Sequence, residues 1–244
     1  MIVTIIDKLA NTPNVGGVNT FLNPFSYLML RKEKQLVKHF DSIMLDGQFL
    51  VRMIQIFIGK KMMRRSFDMT SLAPITFIDA TEQSLTVYLI GSDENSISKA
   101  VQRLKERFPH LQICGWRNGF LCSSKERNEA VDTICQLAPA IVVVGMGTPH
   151  QEQFLVDLKE AGWSGAGYTC GGFFHQTAKK ICYYPKWADE YQLRWLYRII
   201  DEPKLFRRYT IGYSWFLIVF LYDVIKYKLH KLDINGDGPI HLQS

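Results

Sequence analysis

The segment Gly145-Met146-Gly147-Thr148-Pro149-His150-Gln151-Glu152 places two glycines, a hydroxyl, an amide and a carboxylate directly behind the apolar run Ala140-Ile141-Val142-Val143-Val144. Glycines at such a point let a backbone approach a phosphate or a sugar, and a helix that starts there adds amide donors. Gly145 and Gly147 are therefore candidate ligand-facing backbone, and Gln151 and Glu152 candidate partners for ligand hydroxyls. A ligand-free tight turn, and the preference for acidic residues in a first helical turn, explain the same residues. A dinucleotide fingerprint needs a third glycine, which is missing.

Asp46 is the second chemical candidate. It follows the strand-like Ser42–Leu45 and precedes Gly47 at a helix start. An aspartate there acts either as an N-cap or as a general base at the rim of a sheet, within reach of an acceptor hydroxyl. Lys60, Lys61, Arg64 and Arg65 form a basic cluster that is either a solvated face or a source of charge for a diphosphate. His150 and His175 lack the spacing of a helical zinc pair, and no H-E-x-x-H motif or P-loop occurs, so no metal site is expected. Asp233-x-Asn235-x-Asp237-Gly238 imitates the opening of a calcium loop, but Ser244 stands where the bidentate glutamate belongs, which favours a polar, flexible tail.

The elements that must position these residues alternate from residue 85 onward. Thr86–Ile90, Leu111–Cys114 and Ala140–Val144 read as strands, with a loop over Trp116–Phe120. Ile97–Phe108, Ser124–Leu137 and Gln151–Ala161 read as helices. The unbroken β-branched run at 140–144 predicts a strand covered on both faces, as in a parallel sheet between helix layers. Such sheets bind ligands at the carboxyl ends of their strands, which singles out Gly91-Ser92-Asp93, Trp116-Arg117-Asn118-Gly119 and the Gly145 segment. Upstream, the pattern predicts helices over Leu28–Phe40 and over Phe49–Ile58, the latter closed by Gly59.

The chain has 244 residues, is 47% hydrophobic and 21% charged, and carries a net charge of +6, which excludes a disordered or low-complexity protein and suggests an anionic partner. Its five cysteines include no C-x-x-C pair, the usage of a reducing compartment. Residues 1–10 reach Asp7 and Lys8 before a signal-peptide core develops. The apolar run Trp215–Tyr222, flanked by Arg207, Arg208, Lys226, Lys228 and Lys231, is broken by Asp223, too soon to span a bilayer. This is the pattern of a helix lying in the headgroup region, or of one covered by a second subunit, which leaves a homo-oligomer open. Its aromatics form one block instead of alternating with arginines, so nucleic acid is not an expected partner.

Taken in order, Asn23, Leu45-Asp46-Gly47 with Val51-Arg52, Arg64-Arg65, Val87–Gly91, Trp116-Arg117-Asn118-Gly119, the Gly145–Glu152 segment, Cys170-Gly171-Gly172-Phe173-Phe174, Pro185-Lys186-Trp187, and Trp195-Leu196-Tyr197-Arg198 with Glu202-Pro203 resemble the WecG/TagA/CpsF glycosyltransferases. The resemblance spans nearly the whole chain. It implies an α/β, Rossmann-like, mostly parallel sheet flanked by helices: a catalytic domain over 1–194, a C-terminal helical membrane-associating appendage over 195–232 and a tail over 233–244. It implies inverting transfer of a sugar from a UDP-sugar donor to a polyprenyl-diphosphate-linked glycan acceptor, without a cofactor or metal, by a peripheral protein at the cytoplasmic face of the inner membrane. In that scheme Asp46 is the base, Thr20, Asn23 and Gln151 line the pocket, and Arg65, Arg198 and Arg208 face the diphosphate. A non-catalytic membrane-surface module on the same fold is the alternative. Four positions depart from the family pattern, His175 for an aspartate, Lys179 for a glycine, Arg194 for a glutamate and Leu205 for an arginine, and the alternative draws on His175 and Leu205. These touch loops that could read the sugar.

Overall fold

The computed structural model describes residues 2–191 and 193–234. Six strands form one sheet: β1 (Val18–Leu22), β2 (Ser42–Leu45), β3 (Thr86–Gly91), β4 (Gln112–Arg117), β5 (Ile141–Gly145) and β6 (Ala166–Thr169). Every pairing is parallel, in the order β2-β1-β6-β5-β3-β4. The connecting helices are α1 (Ile2–Lys8), α2 (Pro24–Leu30), α3 (Lys34–Lys38), α4 (Gln48–Ile58), α5 (Leu72–Glu82), α6 (Glu94–Arg107), α7 (Ser124–Leu137) and α8 (His150–Glu160). After β6 come α9 (Phe173–Lys179), α10 (Lys186–Glu190), α11 (Arg194–Asp201) and α12 (Tyr213–Ile234). The fold is the expected Rossmann-like α/β architecture.

Two buried apolar layers sandwich the sheet. One joins α1, α2, α4, α7, α8 and α12; the other joins α5, α6 and α9 to the opposite face. This is why β5 reads as an unbroken β-branched run: all its residues are buried. β1 is just as buried but contains Asn19 and Thr20. Asn19 is tolerated because its amide donates to Asn14 O, Gly17 O and Gly167 O, and accepts from Asn14 N and Ser42 Oγ.

The helix expected over Leu28–Phe40 is two helices. Asn23 caps α2 with Pro24 in its first turn, and the five consecutive polar residues Arg31–Gln35 offer no apolar face to carry a helix across the join. α4 ends at Gly59 in the left-handed conformation, as expected.

α12 is not a free appendage. Its inner face buries Phe216, Phe220 and Val224 against α1 and α2, and Tyr27 meets both phenylalanine rings edge-on. Asp223, the residue that interrupts the apolar run, accepts from Tyr27 Oη at 2.8 Å and from two nitrogens of Arg31 at 2.8 and 2.9 Å. No helix among the described residues is long and apolar enough to cross a membrane. The tail and its calcium-loop-like segment lie outside the described residues from position 235 onward.

Candidate active site

The carboxyl ends of β2, β1, β6 and β5 open into a cavity of about 980 Å³, within the size range of nucleotide and cofactor sites. Its far wall is the segment between Tyr184 and Tyr213. The loops after β3 and β4, singled out by strand-end reasoning, do not line it. They pack on each other instead: Gly119 N donates to Ser92 O at 2.9 Å, and Asp93 caps α6.

Asp46 leaves the end of β2 with its backbone N–H bonded to Leu22 O. Gly47, at φ 113°, is the N-cap residue of α4, and no side chain caps that helix. The carboxylate is therefore not a cap and is turned toward the cavity, with Oδ1 3.5 Å from Arg64 Nη2 and 38% of its side-chain surface open. Desolvation within the cleft pushes its pKa up against the opposing pull of Arg64. Asp68, Arg194 and Arg198 also act on it, and it is felt in turn by Arg208, Tyr184, Tyr209 and Tyr213. A carboxylate with a raised proton affinity, open to a cavity, is what a general base requires.

The extended segment beside β2 brings Arg64, not Arg65, to this carboxylate. Leu45 bridges Arg64, and Arg65 N donates to Leu45 O at 2.8 Å. Successive side chains on extended backbone point to opposite sides. Arg65 accordingly turns away, its Nε bonded to Asn11 O, and lines a different cavity. The alternation separates two residues that look equivalent in the sequence.

Arg198 and Arg208 line the far wall. Arg198 Nη2 pairs with Glu202 at 3.4 Å, and its Nε is buried without a hydrogen-bond partner among the described residues. Arg208 lies 3.9 Å over the Phe25 ring, and burial there weakens its hold on its proton, with Arg198 adding like-charge repulsion. Two incompletely compensated guanidiniums in one wall favour an anion with several oxygens.

The remaining expected residues divide by depth. Asn23, Gly147 and Gln151 line the cavity. Asn23 Oδ1 is taken by the α2 cap, and Gln151 Oε1 accepts from Gly171 N at 3.1 Å. Gly147, at φ 76° with open space around its Cα, serves the turn and the cavity together. Thr20, Gly145 and Glu152 lie beneath. A Cβ on Gly145 would meet Cys170 Sγ and Phe174 at 2.9 Å, so its role is close packing, not approach to a ligand. Glu152 Oε1 accepts from Thr20, Thr148 and Gln151, while Oε2 is buried without a partner among the described residues and desolvation raises the carboxyl's pKa. These residues brace Thr148 and Gln151 from below.

A family model described as the glycosyl transferase WecG/TagA/CpsF family matches residues 1–231. The chain belongs to this family. Among curated relatives, it is 33% identical over 216 residues to a UDP-Gal:alpha-D-GlcNAc-diphosphoundecaprenol beta-1,4-galactosyltransferase of Shigella boydii, covering 88% of this chain and 90% of that one. It is 26% identical over 201 residues to an N-acetylglucosaminyldiphosphoundecaprenol N-acetyl-beta-D-mannosaminyltransferase of Bacillus spizizenii, covering 80% and 75%. It is therefore a glycosyltransferase, and the cavity at the carboxyl ends of its sheet is the candidate for the family's chemistry.

Reasoning from the sequence passed over Asp68 and noted Arg194 only as a departure from the family pattern; both line the cavity. Asp68 sits in Ser66-Phe67-Asp68-Met69-Thr70, where only the alternation of polar residues around buried Phe67 hints at a shared direction.

Proposed function

We propose that this protein transfers a sugar, with inversion, from a UDP-sugar to a hydroxyl of a polyprenyl-diphosphate-linked saccharide in bacterial cell-surface polysaccharide synthesis. Asp46 takes the proton from the acceptor hydroxyl as that oxygen attacks the anomeric carbon; the bond from that carbon to the diphosphate oxygen breaks, and UDP leaves. Arg198 and Arg208 offset the charge that grows on the departing diphosphate, their planar forks suiting its oxygens. The observation that carries this reading is the placement of a desolvated carboxylate across one cavity from two undercompensated arginines. Inversion fits the relatives' names, since a β-linked galactose drawn from α-linked UDP-galactose requires it. The relatives named for galactose and for N-acetylmannosamine both act on a GlcNAc-diphosphoundecaprenol acceptor.

The test is transfer by purified protein onto a synthetic GlcNAc-diphosphate lipid, offered UDP-galactose first and other UDP-sugars in parallel. A β-linked disaccharide from wild type, absent with Asp46→Asn, is the expected result. No transfer from any UDP-sugar would overturn the reading.

The acceptor's lipid points to a membrane surface, and the outer face of α12 is suited to one. Trp215, Ile218, Tyr222, Ile225 and Leu229 are all exposed and spaced alternately three and four residues apart, which aligns them in one stripe. Lys226 and Lys228 beside the stripe suit anionic headgroups and would repel across a parallel pairing of two copies. The first residue of α12, Tyr213, also lines the cavity, so lipid contact and chemistry are neighbours. We place the protein peripherally at the cytoplasmic face. Ile218→Glu with Ile225→Glu should abolish co-sedimentation with anionic vesicles and leave the circular dichroism spectrum unchanged; continued sedimentation would refute the docking face.

A further inference from the structure

Resting on the assignment of Asp46 as base, we propose that Asp68 is a positioning residue that joins the two walls of the active site, holding Arg64 beside Asp46 with the same carboxylate that anchors Arg194 and thereby seats Arg198.

The carboxylate is fully engaged. Oδ1 accepts from Thr70 N at 2.8 Å and Thr70 Oγ1 at 2.6 Å. Oδ2 accepts from Ser66 Oγ at 2.7 Å, Arg64 Nη2 at 3.3 Å and Arg194 Nη1 at 2.9 Å. Arg194 is gripped on every side: its other nitrogens donate to Thr70 Oγ1 and Asp189 Oδ1, and its guanidinium lies 4.6 Å from the Tyr184 ring centroid. Arg64 donates to Ser66 Oγ at 2.6 Å and reaches Asp46 with the same Nη2. Asp46, Arg64, Asp68 and Arg194 thus form one line of alternating charge from the end of β2 to the start of α11.

The consequence for α11 follows from helical spacing. Arg194 and Arg198 are four residues apart and share a face, with Asp201 three residues further on. Asp201 is itself held, by Lys179 at 2.7 Å and by Tyr183. α11 is therefore clamped at its first residue by Asp68 and at its last by Lys179, and Arg198 lies between the two clamps. No residue of α11 is fully buried, so polar contacts have to do what an apolar core does elsewhere. Arg194 forms the clamp at the first residue.

The experiment compares wild type with Arg194→Gln, Arg194→Lys and Asp68→Asn by amide hydrogen exchange, UDP titration and steady-state kinetics. Loss of a charge-assisted contact of this kind is expected to speed exchange across residues 186–201 by about tenfold or more in Arg194→Gln. UDP should bind that variant about tenfold more weakly, and KM should rise by a similar factor with kcat within about threefold. Arg194→Lys should recover part of both, since one ammonium can reach Asp68 but cannot also serve Thr70 and Asp189. Unchanged exchange in 186–201 overturns the proposal, and so does an equal rise throughout the sheet, which would make Asp68 merely structural. If Asp68→Asn fails to fold, the two Arg194 variants decide. Exchange needs no substrate, so absence of transfer by wild type would refute the functional reading while the clamp still stands or falls on exchange alone.

Discussion

Two cavities of comparable size open at opposite ends of the same sheet, about 980 Å³ at the carboxyl ends and about 870 Å³ near the amino ends of β5 and β6. Volume does not distinguish them. At the amino ends two of the lining donors are already engaged: Arg65 donates to Asn11 O, and Trp163 Nε1 to Pro139 O at 2.8 Å. The carboxyl ends differ. Arg198 keeps a buried Nε without a partner among the described residues, Arg208 rests on an aromatic ring, and Asp46 faces the cavity 3.5 Å from Arg64 with its pKa raised by desolvation. A cavity whose buried charged groups await a partner is the better candidate for a site.

Substitutions at the two ends should therefore differ, and the largest difference is at the base. Asp46→Asn should lower turnover by about 100-fold or more, whereas Asp79→Asn at the amino-end cavity should leave transfer rates within about twofold. The same Asp46 variant should melt at a higher temperature at neutral pH. The sign follows from its folded-state pKa being raised: that residue supports the fold at low pH, and its contribution is lost as pH climbs and the carboxylate ionises, so a neutral amide relieves a penalty. A lower melting temperature would mean that the carboxylate is not strained.

Next come the arginines of the far wall. Arg198→Gln and Arg208→Gln should each weaken UDP binding by about 10- to 100-fold by calorimetry, the range of a lost charge-assisted hydrogen bond. Equal affinity in both would sever the link between undercompensated charge and anion binding. Smaller but more diagnostic is the acid limb of kcat/KM. It should lie above the ordinary aspartate value and move to higher pH in Arg64→Gln, because Arg64 lowers the pKa of Asp46. An acid limb unmoved by Arg64→Gln would exclude Asp46 as the titrating group. The smallest effect belongs to Arg65→Gln, which should leave kcat and KM within about twofold, despite Arg65 being the residue that the motif resemblance nominated.

The legibility of this fold in its sequence tracked how uniformly each element was buried. β5 and α7 declare themselves, one by an unbroken β-branched run and the other by a clean apolar stripe after Ser123. β1 does not, because Asn19 and Thr20 look like loop residues until their partners on other strands are known. β6, as Ala-Gly-Tyr-Thr, has too little apolar character to announce a buried strand. The site followed the same logic. Asp46 and the Gly147–Gln151 turn stand out locally, but no local pattern tells Arg64 from Arg65, and Asp68 meets Arg194 across 126 positions of chain. Chemistry assembled from distant segments is visible only once the sheet has ordered them.

The bond of Asp223 to Tyr27 and Arg31 has a consequence for orientation. A helix bolted to the body along one side cannot swing, as a tethered anchor would. On the docking face proposed for α12, the enzyme would settle on a bilayer in a single pose, with the height at which its pocket opens above the lipid built into the architecture rather than left to a flexible leash.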